Sequence, residues 1–397
     1  MIVRRPPTAR RHVRVAALAG RRNSIFTFRQ DIRRHAPWSG PVNISAGIDF
    51  FFGQIGRLLF SLGSHFSLTS LGAAFLVATA YYALRRVRRG RRLHLRTLLR
   101  ALFPKRILNH RSNEADVGYL IFNVFVFGVV FGWSILSYQA MSNGIVATLS
   151  SLFGTPAPVA PAWLARTVIT LMLFLAYELG YWFNHWLSHK VPLLWEFHKV
   201  HHSAEVLTPL TNFRVHPVYT FVFGNIIAFA TAVAGGLGHY AFGDTTYQYA
   251  FADTNVILVL FIHAYVHLQH SHVWIAFSGL LGRILVSPAH HQVHHSADPK
   301  HFNKNFGSCL ALWDWMFGTL YVPGKKRERL TFGFPGEPDA HTVKGEFVDP
   351  LVKAGRRLFG GVPERLGLTQ PLPTGVVAHT VDHAVNGRAH RLDAGEV

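Results

Sequence analysis

The sequence is poor in cysteine and in charge. Cys309 is the single cysteine among 397 residues. Its isolation excludes a disulfide framework, a cysteine-based zinc site and a cysteine-ligated iron–sulfur cluster within the chain. Charged residues make up 15% of the chain, whereas a typical soluble domain carries about 25%. Hydrophobic residues make up 49%, and the mean hydropathy is +0.20. These values favour a membrane protein, in which any metal ion must be held by His, Asp or Glu.

Acidic residues are scarcer than basic ones. The chain has 20 Asp and Glu against 40 Lys and Arg, which gives a formal net charge of +20. Such a charge can indicate nucleic-acid binding. Here, however, the basic residues are concentrated in two stretches beside hydrophobic segments, residues 1–37 and 85–111. This distribution is typical of the cytosolic flanks of membrane spans, and we expect no nucleic-acid partner.

Long uncharged runs predict an all-α integral membrane protein with about four to five transmembrane helices. A helix needs about 20 apolar residues to cross a bilayer. The predicted spans are Phe66–Leu84, Val117–Met141, Thr167–Leu187, Pro217–Leu237 and Asn255–His272. Residues 48–64 mix apolar side chains with Asp49 and Arg57, which favours an amphipathic helix at the membrane interface. Residues 274–286 are too short to span and are expected to lie at the surface.

The composition divides the chain into four regions. We expect residues 1–47 to form a basic, disordered cytosolic arm, and residues 48–165 to hold the N-terminal membrane helices and linkers. Residues 166–322 contain the histidine clusters described below. Residues 323–397 carry charges, Gly and Pro and predict a polar cytosolic tail that is largely disordered beyond about Gly361.

The Lys/Arg bias also predicts the orientation of the spans. If residues 85–111 are cytosolic, the linker 142–165, which has no Lys or Arg, lies outside. The span Thr167–Leu187 then returns and delivers its histidines to the cytosolic face. Following the spans across the membrane in the same way places the histidines of Asn255–His272 on that face. We therefore expect a cytosolic helical cap with a histidine-rich site.

Histidines recur in a spacing that suits metal binding. His185 and His189 are four apart at the end of an apolar helix and share one face. The pattern HxxHH occurs twice, at His198, His201 and His202 and again at His291, His294 and His295. Neutral imidazole is a good ligand for iron, zinc or copper. Eight histidines are too many for one ion, since a structural zinc takes four ligands, and they suit two ions.

Another group of histidines leaves alternatives open. His263, His267 and His270 stand at i, i+4 and i+7 of the fifth predicted span and share a helical face. We predict His267 and His270 as ligands because they are nearest the cytosolic end. His272 is the candidate for an interfacial residue, and His290 for a residue that supports a ligand.

The chain resembles the fatty acid hydroxylase/sterol desaturase superfamily of integral-membrane non-haem di-iron enzymes. The resemblance covers about residues 170–322. The motifs that carry it are HWLSH (185–189), HKVHH (198–202), RVHP (214–217), LQHSH (268–272), SPAHHQVHHSADP (287–299), NFG (305–307) and WDWMFGT (313–319). By position, the family's ligand pattern falls on His185, His189, His198, His201, His202, His270, His291, His294 and His295. Residues 166–322 are therefore expected to form the catalytic domain.

The resemblance implies chemistry with O2, two iron ions and two electrons on a lipid-like membrane substrate. Hydroxylation and desaturation both begin with hydrogen abstraction, so the sequence leaves both open and we favour hydroxylation. The sequence contains no GxGxxG and no cytochrome b5 HPGG motif. Electrons are then expected from a separate ferredoxin-like or cytochrome-b5-like protein with its reductase. Two alternatives from other classes are a membrane zinc hydrolase and a metal transporter or sensor. The hydrolase would need an HExxH motif, and the sequence contains none.

Ligand imidazoles need a hydrogen-bond partner on the second ring nitrogen. Glu178, Glu196 and Asp314 are the candidate carboxylates for this role, with a helix cap or salt bridge as the alternative for Asp314. Arg214 is expected to pair with a carboxylate near the site or with a lipid phosphate. Oligomeric state is not predicted.

Overall fold

The computed structural model describes residues 44–156, 160–243, 246–334, 341–342 and 344–359. The predicted disordered arm up to residue 43 and the tail beyond residue 359 lie outside these residues. The all-α prediction is confirmed, since the described strands are one two-residue hairpin, β1 (Ala250–Phe251) with β2 (Thr254–Asn255).

The helices follow the apolar runs of the sequence. They are α1 (Ile44–Phe60), α2 (Leu68–Val87), α3 (Leu95–Leu102), α4 (Lys105–Leu108), α5 (Ser112–Phe122), α6 (Gly128–Phe131), α7 (Tyr138–Phe153), α8 (Ala162–Lys190), α9 (Pro192–His202), α10 (Pro217–Phe242), α11 (Val256–Phe261), α12 (His267–Gln269), α13 (Gly279–Ile284), α14 (Pro288–His294), α15 (Leu312–Met316) and α16 (Asp349–Phe359). π-helical turns occupy Asn123–Phe127, Ile262–Val266 and Lys344–Val348, and 3-10 turns occupy Gly132–Ser134, Pro209–Phe213 and Pro299–His301.

Three helical stretches among the described residues are long and apolar enough to cross a membrane. They are Ser112–Phe153, Ala162–Lys190 and Pro217–Phe242. The first is interrupted by the π and 3-10 turns between α5 and α7. Helices α8 and α10 pack along each other, and α7 packs on α10.

Two of the five predicted spans fall short of this standard. The prediction Phe66–Leu84 corresponds to α2, whose apolar run ends in Arg85 and Arg86. The prediction Asn255–His272 corresponds to the apolar helix Val256–Gln269. At about 1.5 Å per residue, its 14 residues reach about 21 Å, less than the ~30 Å core of a bilayer. Both lie against each other through Ala74, Ala78 and Leu268.

The stretch that joins the first two histidine motifs is built as a helix–break–helix. Helix α8 ends at Lys190, and Pro192 occupies the first turn of α9. Proline has no amide hydrogen to continue the preceding helix, and it is well tolerated at the start of the next. This break turns α9 so that its histidines face those of α8.

The tail contains structure that the sequence did not predict. The π turn Lys344–Val348 leads into α16, which packs against α9. Glu346 and Ala354 are buried. The amphipathic segment 344–359 is short, and its buried residues contact parts of the chain that lie far away in the sequence. Composition alone therefore indicated only a polar tail.

Candidate metal centre

Nine histidines meet in two adjoining clusters at the ends of α8, α9, α12 and α14. The five-histidine cluster consists of His185, His189, His198, His202 and His294. The four-histidine cluster consists of His201, His270, His291 and His295. Within each cluster, the candidate ligand atoms lie within 4.8 Å of one another, and all nine residues are buried. The rings of His202 and His295, one from each cluster, have centroids 4.6 Å apart, so the clusters are neighbours.

The helix periodicity explains how each cluster is assembled. His198 and His202 are four apart on α9 and point into the five-histidine cluster, while His201 points into the other. The same division occurs at the end of α14, where His294 joins the first cluster and His291 and His295 join the second. Each HxxHH motif therefore supplies both clusters, because adjacent residues on a helix diverge by about 100°.

The four-histidine cluster has the geometry of nitrogens around a shared ion. The Nε2 atoms of His270, His291 and His295 form a triangle with sides of 3.0, 3.0 and 3.2 Å. Each ring nitrogen carries at most one hydrogen, which it can direct at one acceptor. Three mutual contacts of this kind are therefore poorly explained by hydrogen bonds. Two nitrogens at about 2.0–2.1 Å from one metal ion stand about 2.9–3.4 Å apart, which matches these distances.

The five-histidine cluster shows the same feature. His202 Nε2 lies 3.2 Å from His198 Nε2 and 3.1 Å from His294 Nε2. His185 Nε2 is buried and has no hydrogen-bond partner among the described residues. A buried imidazole nitrogen without a partner is costly unless something else binds it. The nitrogen-rich, cysteine-free donor set fits a non-haem iron site.

Backbone carbonyls orient three of the candidate ligands. His185 Nδ1–H donates to the Phe306 carbonyl at 2.8 Å, and His294 Nδ1–H donates to the Lys304 carbonyl at 2.8 Å. His201 Nδ1 lies 3.3 Å from the Arg214 carbonyl. A donor hydrogen bond at Nδ1 selects the tautomer whose Nε2 lone pair is available to a metal ion.

The segment 303–306 presents two of these carbonyls because of its backbone conformation. Asn303 and Asn305 adopt positive φ values of 58° and 60°, which asparagine tolerates better than most residues. With these two asparagines in the left-handed region, the carbonyls of Lys304 and Phe306 point toward the five-histidine cluster. Asn305 is held in turn by its side chain, which accepts from the Tyr321 amide at 2.7 Å and donates to the His290 carbonyl at 3.0 Å.

Burial keeps the imidazoles neutral. It lowers the pKa of His201 to about 3, with a smaller contribution from the electrostatic repulsion of His294. Burial likewise lowers the pKa of His294 to about 4, against the opposing hydrogen bond to Lys304. A neutral imidazole keeps the lone pair that binds a metal ion, so the environment favours the metal-binding form at neutral pH.

Asp314 supports His185 indirectly. Its carboxylate accepts hydrogen bonds from the amides of Phe306 at 2.9 Å and Gly307 at 2.7 Å, and from the indole of Trp182 at 3.2 Å. Phe306 then presents its carbonyl to His185. Asp314 is buried, which raises its pKa, while these hydrogen bonds act in the opposite direction. The carboxylate thus fixes the NFG turn. It acts on the imidazole through Phe306, whereas the sequence predicted a direct hydrogen bond.

The other two candidate carboxylates have different partners. Glu178 Oε2 accepts from the amides of Cys309 at 2.9 Å and Leu310 at 2.7 Å, so it holds the chain after the NFG turn. Glu196 pairs with Lys199 within α9 and with Arg357 of α16. Both side chains are buried, and these partners among the described residues are not imidazoles, whereas the sequence predicted that each carboxylate orients a ligand.

His267 is separated from the other predicted ligands. Its Nε2 lies 3.0 Å from Ser70 Oγ of α2, and it belongs to neither cluster. His263, four residues earlier, contacts Thr69 of the same helix, so both histidines face α2. His270 reaches its cluster because it follows the last helical residue, Gln269, with φ −100° and ψ 72°.

The remaining uncertain histidines have hydrogen bonds outside the clusters. His263 Nε2 lies 3.1 Å from Thr69 Oγ1, and His272 Nε2–H donates to the Ala101 carbonyl at 2.7 Å. His290 donates from Nε2 to the Gly282 carbonyl at 2.9 Å and forms a capping box with Ser287 at the start of α14. These residues position helices around the site.

Arg214 is a supporting residue whose partners the sequence did not reveal. It is fully buried and pairs with Asp116 of α5 at 3.1 Å and with Glu346 of the tail. Its Nε also donates to the Val200 carbonyl at 3.1 Å, beside His201. The sequence contains one indication of such a buried ion pair, Asp116, which is an acidic residue at the start of an apolar run.

Fold and site together define a helical membrane protein whose buried imidazoles form two adjoining clusters able to hold metal ions. Residues 170–319 match the family model described as fatty acid hydroxylase. The family predicted from the motifs is thus confirmed over this segment.

Curated relatives agree with this assignment. Alkylglycerol monooxygenase of Xenopus tropicalis is 29% identical over 165 residues, covering 41% of this chain and 32% of the relative. The human alkylglycerol monooxygenase is 30% identical over 156 residues, covering 38% and 31%. Ornithine lipid hydroxylase OlsE of Rhizobium tropici is 26% identical over 210 residues, covering 52% and 58%. The matches thus span about a third of the alkylglycerol monooxygenases and over half of OlsE. No solved structure matches the chain.

Proposed function

We propose that this protein is a membrane-bound di-iron monooxygenase that hydroxylates a lipid-like substrate. The observation that carries the proposal is the pair of adjoining, buried histidine clusters at the end of apolar helices. Nine neutral imidazoles exceed the needs of one ion and suit two. When bound, a non-haem iron pair would supply the means to activate O2 for attack on an unactivated C–H bond. Curated relatives named as a monooxygenase and a lipid hydroxylase support hydroxylation over desaturation.

The proposed roles of the chain's residues follow from the geometry. The nine clustered histidines would hold the ions, while the Phe306, Lys304 and Arg214 carbonyls keep three of them in the required tautomer. Burial of the clusters would exclude bulk water. The apolar spans beside the site would let a lipid approach from the bilayer while the reductant approaches from water.

We further propose that the clusters lie on the cytosolic face and that electrons come from a separate redox protein. The basic stretch 85–111 supports both ideas, because Lys and Arg concentrate on cytosolic flanks and attract acidic partners. Raising the salt concentration should then slow turnover with an acidic ferredoxin-type donor. An unchanged rate would contradict a charge-steered donor.

The test is a lipid-profile comparison by mass spectrometry between cells with and without the gene, grown under 18O2. One added, labelled oxygen atom in a membrane lipid supports the proposal. Loss of two hydrogens without oxygen would indicate desaturation instead. Metal analysis of the purified protein should find close to two iron ions per chain, and His201→Ala should lower that content while leaving membrane insertion intact. Zinc in protein grown with ample iron would favour a hydrolase.

A further inference from the structure

Two short helices beside the site expose an apolar surface. The α13–α15 face consists of Leu280, Leu281, Ile284, Trp315, Met316 and Phe317. All six side chains are exposed, including Leu280 at 66% and Met316 at 62%. Large apolar side chains are individually common on protein surfaces, but a contiguous group of them marks an interaction site.

The face is one structural unit. The Ala311 amide before α15 donates to the Ile284 carbonyl at the end of α13 at 2.8 Å. The Val286 amide donates to the Cys309 carbonyl at 2.9 Å. The Arg283 guanidinium lies 5.8 Å from the centroid of the Trp315 ring, so a cation borders the apolar surface.

The α13–α15 face continues an exposed stripe of α8, one of the three candidate membrane spans. Leu171, Leu175, Leu179 and Phe183 are exposed at intervals of four residues along that helix. A series of ring contacts joins the stripe to α15. The centroid distances are 6.1 Å for Phe183–Trp186, 6.0 Å for Trp182–Trp186 and 4.4 Å for Trp182–Phe317.

We propose that the α13–α15 face lies in the bilayer that α8 crosses, at the boundary between the headgroups and the acyl chains. Lipid must cover the outer stripe of a spanning helix, and the aromatic series packs the end of that stripe against Phe317 beside α15. The helices are too short to span, whereas apolar residues with Trp and a bordering Arg suit the interface. Arg283 can extend along the surface to lipid phosphates.

This position ties the bilayer to the site. Asp314 lies on α15 between the buried contacts of the NFG turn and the exposed Trp315. Two hydrogen bonds connect it to His185 through Phe306. The helix that rests on lipid is therefore also the helix that fixes one end of the five-histidine cluster. The inference concerns location and stands whichever reaction the site performs.

The test uses single cysteines in the full-length protein, reconstituted in vesicles of phosphatidylcholine and phosphatidylglycerol. Cys309 is buried and burial raises the pKa of its thiol to about 12, so the parent chain should label weakly and serve as the blank. Leu281→Cys and Met316→Cys are labelled with a polarity-sensitive fluorophore. Lys300→Cys, at an exposed position of the 3-10 turn Pro299–His301, is the matched control.

Labels at positions 281 and 316 should be quenched several-fold by lipids that carry a nitroxide near the glycerol end of the acyl chain. The label at position 300 should respond instead to a water-soluble quencher. If all three respond alike to the aqueous quencher, the face lies in water and the proposal is wrong. If positions 281 and 316 are shielded from both quenchers, and energy transfer between copies falls on dilution with excess lipid, a second copy covers the face instead.

Discussion

The Nδ1–H of His185 donates to the Phe306 carbonyl across 2.8 Å, joining residues 121 positions apart in the sequence. The Gly307 amide of the same peptide unit donates to Asp314, so a carboxylate acts on the imidazole through the Phe306–Gly307 peptide. A shift of that peptide would change both the tautomer and the direction of the ring.

Replacing Asp314 with Asn should therefore destabilise the protein and weaken metal retention. The carboxylate accepts from Phe306, Gly307, Trp182 and Thr319, and an amide nitrogen cannot accept. Leaving a buried donor unpaired costs about 1–3 kcal/mol. Thermal unfolding and metal content of Asp314→Asn are the measurements. Asp298→Asn, a half-exposed carboxylate at the start of the turn Pro299–His301, should stay within about 0.5 kcal/mol of the parent. Equal effects of the two changes would contradict the role of Asp314.

His270 and His267 form a matched pair on one segment. His270→Ala should lower bound metal, because its Nε2 is part of the nitrogen triangle with His291 and His295. His267→Ala should keep the parent's metal content while losing the contacts with Ser70 and Phe66. Elemental analysis of both purified variants decides between them. Loss of metal in His267→Ala alone would reverse the assignment.

Arg214→Lys should be strongly destabilising although it keeps the charge. The guanidinium donates at once to Asp116, Glu346, the Val200 carbonyl and the Ser112 carbonyl. An ammonium has three donors and no planar fork, so buried acceptors lose their partners. We expect a loss of about 3 kcal/mol or more. Denaturant or thermal unfolding measures it, with Arg283→Lys on the exposed α13 as the control. A loss below about 1 kcal/mol would show that the cluster tolerates the change.

Stability should fall in acid partly because of Glu346. Burial alone would raise the pKa of this carboxyl, but hydrogen bonding from His341 and the charge of Arg214 outweigh it and hold the pKa below the usual 4.5. As the pH falls through about 4.5, the unfolded state binds the proton before the folded state does, and stability declines. Glu346→Gln should be less stable at neutral pH and should show a shallower decline below about pH 5. Unfolding temperatures of Glu346→Gln and of the parent across this range provide the measurement. Parallel curves for Glu346→Gln and the parent would contradict this source of acid sensitivity.

The ligand histidines could be predicted because their information is periodic. Two HxxHH motifs and one HxxxH motif at the end of an apolar helix indicate both the faces and the number of imidazoles, and eight of these plus His270 now lie in two clusters. His267 could not be excluded by the same reasoning. Its spacing fits a regular helix, and only the fold shows that its side chain contacts α2 while His270 lies beyond the end of the helix.

Partners made of backbone were hidden from the sequence. Every residue has a backbone carbonyl. The identities of Lys304, Phe306 and Arg214 therefore do not reveal that their carbonyls accept hydrogen bonds from imidazoles. The carboxylate candidates were placed near the site, yet Glu178 and Glu196 hold other groups because hydrogen-bond geometry depends on the tertiary fold. The pairing of Arg214 with Glu346 joins residues 132 apart and depends on the structure of the tail.

The Arg214 cluster also bears on where this chain can be divided. Its two acidic partners, Asp116 and Glu346, lie before and after the matched segment 170–319. A fragment cut to that segment would retain the guanidinium and lose both countercharges, leaving a buried cation unpaired beside His201. Such a fragment contains all nine clustered histidines, yet we expect it not to fold on its own. Transplanting the site into another scaffold therefore requires the flanking helix and the tail as well.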